Sequence, residues 1–157
     1  MKRILISLIF IPFMAFANTS DLGVHATSWD IDGAGNIDGY GIDYTGLAGD
    51  NNILMDVTYD DVSSDGGSLT YSIISLGYAF GDATEGAFDL GFSRFDADGS
   101  ETDVKVGYGR RGGEGLDYHI GIIDGESTTV TVKIRGENGI TFSLLSDDGD
   151  RIMSLGY

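Results

Sequence analysis

Arg151-Ile152-Met153-Ser154-Leu155-Gly156-Tyr157 alternates strictly, with Met153, Leu155 and Tyr157 on one face and Ser154 and Gly156 on the other. A period of two is a strand with one apolar side. An aromatic at the final position of such a strand points to a receiving surface, since solvated chain ends fray. The phrase recurs inside the chain as Ser72-Ile73-Ile74-Ser75-Leu76-Gly77-Tyr78, matching at Ile, Ser, Leu, Gly and Tyr. One environment is therefore expected to take both Tyr157 and Tyr78, and the membrane interface is the candidate.

Working outward from that strand, ten alternating runs are separated by short Gly, Asp, Asn and Ser clusters. They cover approximately 22–30, 37–47, 53–60, 69–80, 87–95, 102–111, 115–124, 127–135, 139–146 and 151–157. Their apolar faces include Leu22/Val24/Ala26, Tyr40/Ile42/Tyr44, Met55/Val57/Tyr59, Ile74/Leu76/Tyr78 and Phe88/Leu90/Phe92. Further along come Val104/Val106/Tyr108, Leu116/Tyr118/Ile120/Ile122, Val130/Val132/Ile134 and Ile140/Phe142/Leu144. The fourth run changes phase at Ile73-Ile74, which predicts a bulge. Runs of about nine residues match a tilted membrane-crossing strand. Small residues opposite the apolar face, including eight glycines from Gly39 to Gly156, suit a confined lumen better than a solvated surface.

If odd runs rise and even runs descend, Tyr44, Tyr78, Phe88, Tyr108, Tyr118, Phe142 and Tyr157 fall at one rim. Tyr40, Tyr59, Tyr71 and Phe92 then fall at the other. Two aromatic belts are the mark of a membrane barrel. The expected fold is thus an all-β, up-and-down antiparallel transmembrane barrel of about ten strands with short turns. Eight strands is the alternative if one hairpin lies outside the membrane.

Lys2 and Arg3 precede an apolar run from Ile4 to Phe16, and Ala15-Phe16-Ala17 has the small-x-small form of a leader-cleavage site. Residues 1–17 are therefore expected to be a signal peptide and 18–157 the barrel domain. Lys2 and Arg3 are two of the 9 basic residues, so 7 remain against 25 acidic ones, a net charge of −18. Such a balance argues against nucleic-acid binding, which needs a basic face. There are no cysteines, and the single proline falls inside the leader.

The chain resembles the small outer-membrane β-barrel proteins of Gram-negative bacteria, the broad class of OmpA/OmpX-like barrels and small porins. The leader, the amphipathic strands and the closing Met153-x-Leu155-x-Tyr157 carry the resemblance. It implies localisation in the outer membrane, with Met153, Leu155 and Tyr157 as the signal read by the barrel-assembly machinery. Tyr157 stands where that class more often has Phe, and long surface loops are absent.

On the inward faces, Asp89, Arg111, Asp117 and Arg135 are expected near the mouth at the terminus end, with Lys133 and His119 one layer deeper and Lys105 beyond them. Asp43, Asp56 and Thr58 lie on the opposite wall. An acidic wall facing a partly basic one can select permeating solutes. Alternatively the charges pair and fill a closed barrel. Arg94 and Arg151 are expected on the outer face near the headgroups, placed to contact lipopolysaccharide phosphates. The upper turns gather Asp30/Asp32, Asp61/Asp65, Asp96/Asp98/Glu101, Asp124/Glu126 and Asp147/Asp148/Asp150, read as turn chemistry or as cation-bridging groups. No catalytic motif appears: His25 and His119 lie on distant runs, and His25 with Ser28 forms no triad. The function expected is porin-like diffusion or a structural role stabilising the membrane, with no enzyme activity, metal or cofactor. The alternative is a secreted or periplasmic soluble acidic β-barrel or sandwich, an adhesin or ligand-binding module whose apolar stripes form its core.

Overall fold

The computed structural model describes residues 17–157 apart from 33–34, 65–66, 98 and 113; the leader expected over 1–17 lies outside the described residues except for Ala17. Ten strands follow one another: β1 Ala17–Ile31, β2 Gly35–Ala48, β3 Ile53–Ser64, β4 Gly67–Ala79 and β5 Ala87–Asp96. The second half contributes β6 Ser100–Arg110, β7 Asp117–Asp124, β8 Thr128–Arg135, β9 Thr141–Asp147 and β10 Asp150–Gly156. Each strand pairs antiparallel with its neighbour in sequence, and β1 also pairs with β10, so the sheet closes. The seam runs from His25 opposite Gly156 to Asp30 opposite Arg151. It is extended by paired backbone bonds between Val24 and Tyr157, both 2.9 Å. The architecture is an all-β up-and-down barrel of ten strands, not eight.

Alternation places the apolar stripes on the outside. Leu22, Tyr40, Phe88, Phe92, Ile120 and Leu155 are among the side chains more than half exposed there, Tyr40 to 79%. Around the terminus end the rings of Tyr78 and Phe80, Phe88 and Tyr108, and Tyr108 and Tyr118 touch at centroid separations of 5.8, 4.8 and 6.3 Å. Some outward-register residues depart from the pattern, and two of them are large. Tyr44 and Met55 are buried, to 2% and 1% exposure, with Tyr44 beside Ser20 of β1.

Two sequence expectations require correction. The β3–β4 and β4–β5 registers run unbroken through Ile73 and Ile74, so there is no bulge. The phase change has another cause: β4 turns Leu69, Tyr71 and Ile73 inward, replacing polar residues on the lumen side. Tyr71 is only 1% exposed and does not join an outer belt. It packs with Val62 and Ile152, backed by Trp29, Phe95 and Leu145, in an apolar cluster across the interior at the hairpin end. Trp29, Tyr71 and Phe95 touch one another, at centroid separations of 5.6, 6.4 and 5.7 Å.

At the terminus end Leu47, Leu54, Ala79, Ala83 and Ala87 form a second, smaller cluster. The β4–β5 loop tucks into it: Ala83 N donates to Asn51 O at 3.0 Å, and Ala83 O accepts from Arg111 N at 2.9 Å. Asp82 braces that loop, and the hydroxyl and backbone N–H of Thr84 hold its carboxyl below the usual carboxylate range. Strand lengths are uneven, from 12 to 15 residues in β1–β4 but only 7 or 8 in β7–β10.

Interior glycines let the strands coil this tightly. A Cβ on Gly91 would lie 2.6 Å from Gly77 Cα and collide with Leu76 O, whereas one on Gly77 would meet nothing closer than 3.4 Å. Gly91→Ala is therefore expected to cost about 1–3 kcal/mol, the usual penalty for overpacking. Urea unfolding of the refolded barrel measures it, and Gly77→Ala should shift the midpoint far less.

Candidate functional site

Between the two apolar clusters the interior is polar and ionic. The nine charged residues expected there (Asp43, Asp56, Asp89, Lys105, Arg111, Asp117, His119, Lys133 and Arg135) all face the interior or its mouth. Asp56 on β3 receives Arg111 Nη1 and lies 3.7 Å from Lys105 Nζ, both reaching over from the β6 side. Lys133 on β8 donates to Asp43 Oδ2 at 3.0 Å and to Thr45 Oγ1 at 2.8 Å. Thr45 Oγ1 in turn donates to Asp56 Oδ1 at 3.1 Å. The acidic wall on β2 and β3 thus meets basic residues of β6 and β8 in direct contact. Arg135 does not take part: it pairs with Asp21 of β1 at the mouth. Asp117 accepts from the backbone N–H of Gly112 at 3.0 Å.

Two further participants join them: His25, which the sequence reading weighs only as a catalytic residue and sets aside, and Asp60, which it does not single out. His25 Nε2 lies 2.8 Å from Asp60 Oδ1, and Nδ1 lies 3.3 Å from Asp43 Oδ1. Asp60 has no exposed surface. The pair bridges β1 and β3 across the intervening β2, where His25 is opposite Gly41 and Gly41 is opposite Asp60. A Cβ on Gly41 would come within 2.6 Å of His25 Nε2 and 2.5 Å of Asp60 Oδ1. The glycine is the gap through which the two side chains join.

The same device recurs on the other side of the barrel. His119 Nε2 of β7 lies 2.8 Å from Asp89 Oδ2 of β5, over Gly107 of β6. A Cβ there would be 2.6 Å from the imidazole Cε1 and 3.1 Å from the carboxylate. Glycine facing the lumen, which suggests open space in the sequence, is here covered by a polar side chain. A visible signal existed: Asp60 shares the parity of Asp56 and Thr58, and His25 that of Thr27.

The remaining space is divided among cavities. One of about 270 Å³ opens at the terminus end among Asp21, Asp43, Arg111, Asp117, Lys133 and Arg135. Smaller ones of about 110 and 50 Å³ lie by Lys105 and His25, and one of about 280 Å³ lies at the hairpin end. Met153, Leu155 and Tyr157 sit on the outer face along the seam. Arg94 also lies on that face, 3.4 Å from Asp96, and exposed Arg151 stands opposite Asp30. Asp65 and Asp98 are outside the described residues. Among the described residues no three carboxylate or imidazole groups converge to hold a metal ion.

Removing one partner from a buried charge pair strands the other, a loss of about 3–5 kcal/mol. Asp56→Ala should therefore lower urea stability by about that amount, because Arg111 and Lys105 are both buried. Arg94→Ala, at a half-exposed pair, should change stability by no more than about 0.5 kcal/mol. No protein-family model matches this chain, and no curated protein matches it either.

Proposed function

We propose that the protein is a small outer-membrane barrel whose role is structural, a closed cylinder that stabilises the lipid layer it crosses. One observation carries this reading: the barrel is inverted relative to a soluble protein, with aliphatic and aromatic side chains exposed around its circumference and ion pairs within. In lipid such an outer surface is solvated by hydrocarbon, and closure leaves no open sheet edge. A soluble barrel or sandwich built on the same stripes would use them as its core, but in this fold they lie on the outside. In this reading the leader at 1–17 directs export. Met153, Leu155 and Tyr157, exposed on the seam strand, are what the assembly machinery engages, and Arg94 and Arg151 meet lipopolysaccharide phosphates at the headgroup level.

The apolar cluster of Val62, Tyr71 and Ile152 across the interior favours a closed barrel over a diffusion pore. A second reading, slow passage of small polar solutes, has in its favour the ion-lined cavities that follow one another along the bore. Bilayer conductance separates the two. The closed barrel passes no steady current, and replacing Trp29, Tyr71 and Phe95 together by Ala should open one.

Membrane placement is tested by Leu90→Arg. Arginine near the bilayer midplane costs about 2–4 kcal/mol, whereas on a water-facing surface the change stays within about 0.5 kcal/mol. The expected result is a lower yield of the heat-shifting folded band in the membrane fraction. A variant as stable as the parent, recovered in the soluble fraction, would overturn the proposal.

A further inference from the structure

We propose that the cavity at the hairpin end is a binding site for a small amphipathic cation, an ammonium group carried on one aromatic ring or a short alkyl chain. The cavity measures about 280 Å³ and has two zones. Its floor is apolar, made by Trp29, Phe95, Ile123 and Ile152. Its upper wall carries Glu101, Asp103, Glu126, Asp147 and Asp150, with no lysine or arginine lining it. Among the described residues none of these five carboxylates forms an ion pair. Two are turned to local use on one side: Asp147 Oδ2 accepts from Ser127 Oγ at 2.7 Å, and Asp150 Oδ1 accepts from Asp32 N at 2.9 Å. Asp147 Oδ1 and the indole Nε1 of Trp29 are buried without hydrogen-bond partners.

The two zones together select the ligand. Carboxylates grouped at a concave opening with low-dielectric walls focus a negative potential inward, which concentrates cations and repels anions. A bare divalent ion needs several oxygen ligands converging on one point, and among the described residues no three carboxylates are so placed. An organic cation is different. Its apolar part gains by leaving water against the floor of Trp29, Ile123 and Ile152, and its charged end is attracted by the carboxylates of the rim. The volume lies just under the roughly 300–1,000 Å³ of ordinary small-molecule sites. One ring and a short chain therefore fit, and a larger amphiphile does not.

Trp29 is the only tryptophan, so its emission reports the cavity alone. The experiment titrates the refolded full-length barrel in zwitterionic micelles with 2-phenylethylammonium, with its anionic counterpart 3-phenylpropionate, and with magnesium chloride. A saturable change in emission is expected with the ammonium compound only. Glu101→Gln with Asp103→Asn should weaken it about tenfold, or about 1.4 kcal/mol, while the heat shift on gels shows that the barrel still folds. Glu126→Gln, in an exposed turn, is a second variant that should weaken binding without touching the strands. An unsaturable change, an equal response to 3-phenylpropionate or magnesium, or unchanged affinity in both charge variants would overturn the proposal.

Discussion

A narrow closed barrel cannot leave a charge in the middle of its bore, away from either mouth, unanswered, and that constraint organises this structure. Removing a carboxylate or guanidinium from water is costly, so one held deep between the two mouths must find a counter-charge on a neighbouring or facing strand, whereas those at the mouths stay within reach of water. Asp43 with Lys133 and Asp56 with Arg111 make that connection between strands distant in the sheet. These contacts act as cross-braces. They couple β2 and β3 to β6 and β8 independently of the hydrogen-bond ladder, so the shape of the bore is held from within as well as around its circumference.

Glycine determines where the braces can form. In a sheet, residues on alternate strands are separated by the side chain between them. Where Gly41 or Gly107 occupies that middle position, an imidazole and a carboxylate two strands apart come within 2.8 Å. The same residue type performs a different task at Gly91, where it admits the backbone of the next strand. Gly91→Ala bears on coiling and Asp56→Ala on charge balance, so the two losses have distinct causes even where their sizes overlap.

Much of this was legible in the residues. Alternation located all ten strands and the outward stripes, because a period of two is imposed by the pleat whatever the sheet packs against. The nine lumenal charges followed from the same parity. Pairing across the bore was harder, since which wall faces which depends on closure and register. Opposing Asp43 and Asp56 to Lys133 and Arg111 was within reach, whereas sending Arg135 to Asp21 was not. Tyr71 and Trp29 were misread or passed over for a related reason. An aromatic turned into a polar lumen looks, in sequence, like a slip in phase, and only three-dimensional contact with Phe95 shows that it belongs to a plug. The contact of His25 with Asp60 was not legible because Gly41, which reads as open space in the lumen, is the gap across which the two side chains meet.

The closing seam has a kinetic consequence. β1 and β10 are separated by most of the chain, and their ladder spans six residue pairs plus the bonds between Val24 and Tyr157. The other nine pairings join neighbours in sequence through short connections and can form locally, while the seam must wait for a long loop to close. Until it does, the sheet is an open ribbon with two unpaired edges, each able to capture a strand from another molecule. Damage to either edge strand would therefore be felt as a population of unsealed, self-associating ribbons, whereas damage within the ladder would yield sealed but weaker cylinders.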